Sequence, residues 1–349
     1  MLSRRWSLTI WALAAAIAAR QLDPIRNMCW RFFHQSVVKN STLYISGGIE
    51  TFIGLFNGSQ SGNKTQGYND PRIYLYGGYT SHWNATFPDF QWPALSQYVL
   101  WSYDTTSGRW DQYDISAASP WRPSSGAHTE APDQGLAFYF NGEINSGSSQ
   151  TTQVLGDNVK IFLDGLIVIN TTDHTATNLS TSAVSGTQPR TRGSMEYVPG
   201  LGSNGILVYV GVSYKSIDEL DSEETPNYIP MDYVDIFDLG HLYDHGNDST
   251  GGWYKQKATG DIPPKRAEFC SVLASALDNS SHNIYVHGGR GPNNKFYDDI
   301  YVLSLPSFIW TSVYSGTGSR FGHTCHLVGQ RQMLTVGGLL SWDVNSYCD

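Results

Sequence analysis

The sequence predicts an all-β fold built from repeated small sheets, and three recurring elements predict it. Six short runs of aromatic and branched residues end in a glycine pair or its remnant: LYISGG (43–48), IYLYGG (73–78), AFYFNG (137–142), LVYVGV (207–212), IYVHGG (284–289) and MLTVGG (333–338). A second strand follows at intervals, meets an acidic or small turn and reaches a tryptophan. A third, Arg- and Phe-containing element precedes the glycine runs.

The first element reads as a buried strand, because side chains of this type fill a pleated surface. Its glycines then allow a turn or a close backbone approach that a Cβ would obstruct. The second element is clearest in LWSYDTTSGRW (100–110) and YVLSLPSFIW (301–310); VDIFD (234–238) resumes at Trp253, and LIVINTTDHTATNL (166–179) carries Asn178 in place of Trp. A large ring at the edge of each repeat is read as a packing wedge between neighbouring sheets. The third element is Arg31-Phe32-Phe33-His34, Arg192 with its neighbours, Arg266 to Phe269, and Arg320 to His323.

Together these motifs resemble the kelch repeat, a four-stranded antiparallel blade of a β-propeller with a double glycine after one strand and an aromatic residue later. The stretches 23–36, WYKQKATGDIPPKR (253–266) and FYDDIYVLSLPSFIW (296–310) look most like the secreted or membrane-anchored fungal kelch proteins. The resemblance implies a kelch-type β-propeller over residues 20–349, six-bladed with one or two incomplete blades. Two departures stand out. Only 30 residues separate Gly48 from Gly78, where a kelch unit takes about 50, and 57–70 reads as Gly/Ser/Asn loop after a single strand near 51–56. Asp349 also falls before an expected last strand. A compact variant with an incomplete ring and a chain lacking a segment near residue 60 and its tail both fit.

Composition and termini set the compartment. The 349 residues are 40% hydrophobic, 13% aromatic and 15% charged, which excludes a disordered chain. Net charge is −9, from 22 basic and 31 acidic residues, with no basic cluster larger than a pair such as Arg4-Arg5. Nucleic acid, which demands concentrated Lys and Arg, is therefore not an expected partner. Residues 1–19 read as a secretory signal: a basic start, an uncharged Trp6–Ala19 segment too short to span a bilayer, and a small-residue cleavage site at Ala16-Ile17-Ala18. N-x-[ST] sites at Asn40, Asn57, Asn63, Asn84, Asn170, Asn178, Asn247 and Asn279 point the same way, to a secreted glycoprotein. Cys29, Cys270, Cys325 and Cys348 allow two disulfides in three pairings, which spacing does not choose among.

Function is sought in the insertions, since the strands are committed to packing. Tyr79–Gln97, Glu143–Asp157 and Ser213–Asp232 all follow a glycine run and are expected to emerge on one face. The first carries His82, Trp83, Phe87 and Trp92; the third carries Asp218, Glu219, Asp221, Glu223 and Glu224. An aromatic patch beside an acidic one suits a protein or a glycan partner. No G-x-S-x-G, phosphate loop or H-E-x-x-H occurs. His241 and His245, four apart, lie in a Gly/Asp-rich insertion where helical geometry is not expected. On a strand, His323 and Cys325 point opposite to His326. No metal, cofactor or catalytic set is assigned. The kelch resemblance also raises the copper-radical oxidases, which need a Cys-linked Tyr and further domains; no cysteine here has a fitting context. The expected function is a non-catalytic secreted propeller presenting loops to a protein or glycan. An accessory role in a fungal secondary-metabolite pathway is the alternative.

Overall fold

The computed structural model describes residues 28–46, 49–52, 55–58, 61–66, 70–79, 98–155, 159–186, 189–213, 228–245, 251–329 and 331–340. Its sheets follow chain order. After β1 (Met28–Phe32), β2 (Gln35–Lys39) pairs antiparallel with β3 (Thr42–Ser46), while β4 (Ile49–Phe52) pairs with β1 and with β5 (Leu55–Gly58). A four-stranded sheet follows: β6 (Ser61–Gln66), β7 (Arg72–Tyr79), β8 (Leu100–Asp104) and β9 (Trp110–Tyr113). The next contains β10 (Ala127–Ala131), β11 (Leu136–Phe140), β14 (Leu166–Asn170) and β15 (Ala176–Leu179), with the ribbon β12 (Glu143–Ile144) and β13 (Ile161–Phe162) inserted. β16 (Arg190–Val198), β17 (Ile206–Ser213), β18 (Tyr233–Asp238) and β19 (Trp253–Lys257) form the third. β21 (Cys270–Ser275), β22 (His282–His287), β23 (Asp299–Leu305) and β24 (Ile309–Ser315) form the fourth, extended by parallel β20 (Thr259–Gly260) on β24. β25 (Thr324–Val328) pairs with β26 (Gln332–Val336). Three short helices complete the described elements: α1 (Gln150–Leu155), α2 (Ser182–Ser185) and α3 (Gly240–His245).

Every glycine run is the second strand of its sheet: β3, β7, β11, β17, β22 and β26. The strands preceding them, β2, β6, β10, β16, β21 and β25, are neighbours in that cyclic order, with β25 returning to β2. This is the kelch-type β-propeller that the repeat implies: sheets packed face to face around an axis.

The apolar runs are continuous rather than alternating because both faces of a blade are covered. In β11, Phe138 and Phe140 pack toward the β16–β19 sheet, whereas Ala137 and Tyr139 pack toward the β6–β9 sheet. In β17, Leu207 and Tyr209 enter the first of these interfaces, and Ile206, Val208 and Val210 enter the next one. Period-2 alternation is thus divided between two cores instead of core and solvent. The tryptophan wedges form at two of three sites. Trp310, 1% exposed, donates from Nε1 to the Met231 carbonyl at 2.9 Å, and Trp253 packs on Phe140 of the neighbouring sheet. Trp110 stays 51% exposed against Tyr103.

The glycine pairs explain how blades lock. Gly77, Gly288 and Gly337 have φ of +69°, +66° and +62°, and a Cβ there would drive into the carbonyl oxygens of Pro123, Arg320 and Arg31 respectively. The next glycine donates its N–H to that same carbonyl: Gly78 to Pro123 at 2.8 Å, Gly289 to Arg320 at 2.7 Å, and Gly338 to Arg31 at 2.8 Å. The last of these joins the end of the described chain to its beginning.

One expectation changes. The segment 49–66, read as one strand and a loop, supplies three strands, β4, β5 and β6. Its Gly, Ser and Asn residues satisfy their backbone groups through pairing of β5 with β4 and of β6 with β7, an outcome that local propensity does not signal.

Candidate functional site in the axial channel

At one end of the channel, just before four of the inner strands and at the bulge near the start of β16, a residue adopts the left-handed backbone: Phe33, Ser125, Arg192 and Glu268 at φ of +53° to +60°, and Gly322 at +64°. In four of the five that turn points the N–H around the axis at the preceding blade. Arg192 donates to the Ser125 carbonyl at 2.7 Å, Glu268 to Arg192 at 3.0 Å, Gly322 to Glu268 at 2.9 Å, and Phe33 to Gly322 at 2.8 Å. Non-glycine residues adopt this conformation at about 1–2 kcal/mol each, which the belt of hydrogen bonds offsets.

The belt also aims side chains. Glu268, 9% exposed, accepts from Arg290 Nε at 2.6 Å and Nη2 at 3.1 Å, and pairs with Arg192. Burial pushes the Glu268 carboxyl up, but the two guanidinium groups more than offset this and hold it below the ordinary glutamate range. Glu143, also buried, accepts from Ser125 Oγ at 3.3 Å and faces Lys160 Nζ at 3.8 Å and Arg192 Nη2 at 4.0 Å. Arg192 therefore bridges two carboxylates. Arg266, fully buried, is held separately by Asp299 and by the Gly288 carbonyl at 3.0 Å, with its guanidinium over Tyr297.

Below the belt lies a cavity of about 390 Å³, walled by β2, β10, β16, β21 and β25. Its wall carries hydroxyls, imidazoles and the carboxyl groups of Glu130 and Glu196. Ser36 Oγ meets His326 Nε2 at 2.7 Å, and His34 Nε2 meets Thr324 Oγ1 at 3.1 Å. Ser271 Oγ donates to Glu196. Burial holds His34 and His128 down to about 4, with a further push on His34 from Arg31 and on both from His326, and also depresses His326. It raises Glu196 to about 7, against the hydrogen bond from Ser271. At neutral pH the wall thus offers neutral imidazoles, hydroxyls, the partly protonated carboxyl of Glu196 and the side chain of Glu130. Such a set both donates and accepts hydrogen bonds. A Ser–His pair acts as a nucleophile when a third group orients the histidine; among the described residues no carboxylate hydrogen-bonds His326.

The roots of the three insertions lie at this same end. Tyr79 pairs with Ser61 at the start of β6, Ser213 with Arg190 at the start of β16, and Glu143 bridges Ser124 just before β10. The proposed binding residues themselves, His82, Trp83, Phe87 and Trp92 with Asp218, Glu219, Asp221, Glu223 and Glu224, lie outside the described residues. The middle insertion is not a free loop: it forms β12, α1 and β13, and buries Ser146, Ser148, Ser149 and Thr152 through local hydroxyl bonds.

Of the sequons, Asn40, Asn178 and Asn279 are exposed and Asn170 is half-buried, while Asn57 and Asn63 stand in strands β5 and β6. Asn84 and Asn247 fall outside the described residues. Cys270 and Cys325 form a disulfide between β21 and β25, with Cα atoms 5.5 Å apart. Cys348, and the side chain of Cys29, lie outside the description. His241 and His245 do share a helix, α3, and their rings stack at 4.5 Å; the helix forms because Asp238 Oδ1 accepts the Gly240 N–H at its start.

Sequence reading missed His128, Glu143 and Glu196 as site residues. Their signal was a polar residue inside, or immediately after, an otherwise strand-forming run, which is costly unless the position faces a partner or a cavity.

No family model matches the chain. It is similar to a Kelch repeat-containing protein of Arthroderma benhamiae, 27% identical over 97% of this chain and 57% of that protein. The chain therefore spans little more than half the length of this relative. Among solved structures it is similar to YjhT, with a TM-score of 0.54 at 12% identity, over 88% of this chain and 90% of that one. That likeness concerns the fold alone, the same circular arrangement of sheets.

Proposed function

We propose that this kelch-type propeller is a secreted, non-catalytic binding module with six blades, and that its axial cavity receives the end of a neutral glycan. The observation that carries the reading is the cavity wall: hydroxyls, neutral imidazoles, the partly protonated carboxyl of Glu196 and the acceptor oxygens of Glu130, at the end where the three insertions are rooted. A polyhydroxylated ligand exchanges donors and acceptors with such a wall and brings no charge to be desolvated. The volume suits one or two sugar rings. The aromatic insertion with Trp83 and Trp92 supplies rings for stacking over the mouth, and the acidic insertion disfavours anionic ligands.

Six blades are supported by the cyclic order of six inner strands. Secretion is supported by the pattern of residues 1–19, by the exposed sequons and by the disulfide. The test is a glycan array with the purified protein, followed by titration of retained sugars against His128→Ala and Ser271→Ala. Retention of neutral glycans that both substitutions weaken at least tenfold supports the reading. Retention of acidic glycans only, or of none, overturns it, and retention on an immobilised protein partner alone moves the function to the insertions.

A further inference from the structure

Beside the cavity, four side chains from three strands and one loop converge. Cys270 on β21 and Cys325 on β25 meet His287 at the end of β22 and His323 just before β25, with one ligand atom of each within 4.8 Å of all the others. Three of the four are buried. The histidine geometry is that of ligands held from outside. His287 Nδ1 faces the cluster, 3.1 Å from His323 Nε2, while its Nε2 faces Asp298 Oδ1 at 3.5 Å. Asp298 is itself fixed, its Oδ2 accepting the Gly318 N–H at 2.7 Å. A carboxylate behind a ligating imidazole sets its tautomer and orientation. Independently, His323 is 5% exposed and its Nδ1 has no hydrogen-bond partner.

The geometry points to a redox-gated metal site: once the Cys270–Cys325 disulfide is reduced, two thiolates and two imidazoles bind a single zinc-like divalent cation, with Asp298 positioning His287. Two Cys and two His are the donor set of tetrahedral zinc. Bond lengths of about 2.3 Å to sulfur and about 2.0–2.1 Å to nitrogen place tetrahedral donors about 3.4–3.8 Å apart, within the span these atoms already occupy. The chemistry balances with a small dithiol as reductant. It delivers two electrons and two protons, the protein S–S bond breaks to give two thiols, and the dithiol closes to its own disulfide. Metal binding then releases both thiol protons to solvent. In the oxidised chain the same sulfurs are bonded to each other and are withheld from the metal. The inference does not depend on the glycan reading.

The experiment uses the full chain carrying Cys29→Ser and Cys348→Ser, so that any thiolate ligand comes from this pair. The protein is reduced with excess dithiol, freed of it under anaerobic conditions, and titrated with Co²⁺. One Co²⁺ per chain, with a thiolate-to-cobalt charge-transfer band and intense tetrahedral ligand-field bands that Zn²⁺ abolishes, is the expected result. The oxidised chain shows neither band. His323→Ala weakens binding at least tenfold, and Asp298→Asn weakens it while leaving the thiolate band in place. Near-UV circular dichroism follows the fold throughout. A folded, reduced chain without the bands overturns the inference, as do bands unaffected by His287→Ala and His323→Ala, or a reduced chain that loses its near-UV signal and does not regain it with Zn²⁺.

Discussion

Replacing Glu268 by Gln tests whether the belt at the channel end is held by its charges. The substitution keeps the side chain's size and the backbone at φ +57°, and removes one carboxylate from between Arg192 and Arg290. Breaking a buried pair from one side leaves uncompensated charge and costs about 3–5 kcal/mol. Arg192 keeps Glu143 at 4.0 Å, so the lower end applies. A loss of about 3 kcal/mol, at about 1.4 °C per kcal/mol for a chain of this size, lowers Tm by about 4 °C. The assay is urea and thermal unfolding of both proteins from pH 7 down to pH 3, with Arg290→Met and the double variant completing a cycle.

The pH dependence carries the sign. Because the folded-state pKa of Glu268 lies below its unfolded value, its stabilisation is present above the ordinary glutamate range and is lost as pH falls through the depressed folded value. The gap between wild type and Glu268→Gln therefore narrows toward pH 3. The histidines titrate in both proteins and cancel from the difference. The double variant recovers part of the loss, since it leaves fewer unpaired cations. A loss below about 1 kcal/mol at pH 7, the range of an exposed pair, or a gap that stays constant into acid, refutes the argument.

Two further outcomes follow from the same geometry. Gly288→Ala places a Cβ at φ +66° against the Arg320 carbonyl that locks the adjacent blade, and lowers stability by at least about 2 kcal/mol in thermal unfolding; Gly329→Ala, at φ +58° in open space, loses only about 1 kcal/mol, and equal losses would discard the blade-contact explanation. Glu196 ionises at about 7 when folded against 4.5 when unfolded, so its penalty on the folded state grows as pH rises between those values and reaches about 3 kcal/mol. Glu196→Gln is accordingly more stable than wild type at pH 8 and no different at pH 4; a constant difference across that range in urea unfolding contradicts a buried, titrating carboxyl.

How much of this was legible before folding differs by element. The runs LVYV and AFYF announce strands because their side chains are of the type that fills a pleated surface, and the glycines after them mark a backbone approach. The blade-lock carbonyls of Pro123, Arg320 and Arg31 were not legible, since each lies well away in the chain from the glycine that receives it. Nor were the strands β5 and β6, whose polar residues pair only because β4 and β7 are already in place. Arg192 and the Arg266–Phe269 stretch were visible as a repeated element, yet nothing local says that Glu268 of one repeat clasps Arg192 of the one before, 76 residues earlier.

By itself, the sequence determined the repeat, the order of its strands and the positions where a left-handed glycine ends them, because these depend on neighbours a few residues apart. Only the tertiary structure decided the channel. Its wall takes a few residues from each of five strands, and its disulfide joins cysteines separated by 55 positions. Closure around the axis brings side chains together at a spacing no local pattern encodes, and burial there, rather than residue type, decides which of them carry charge.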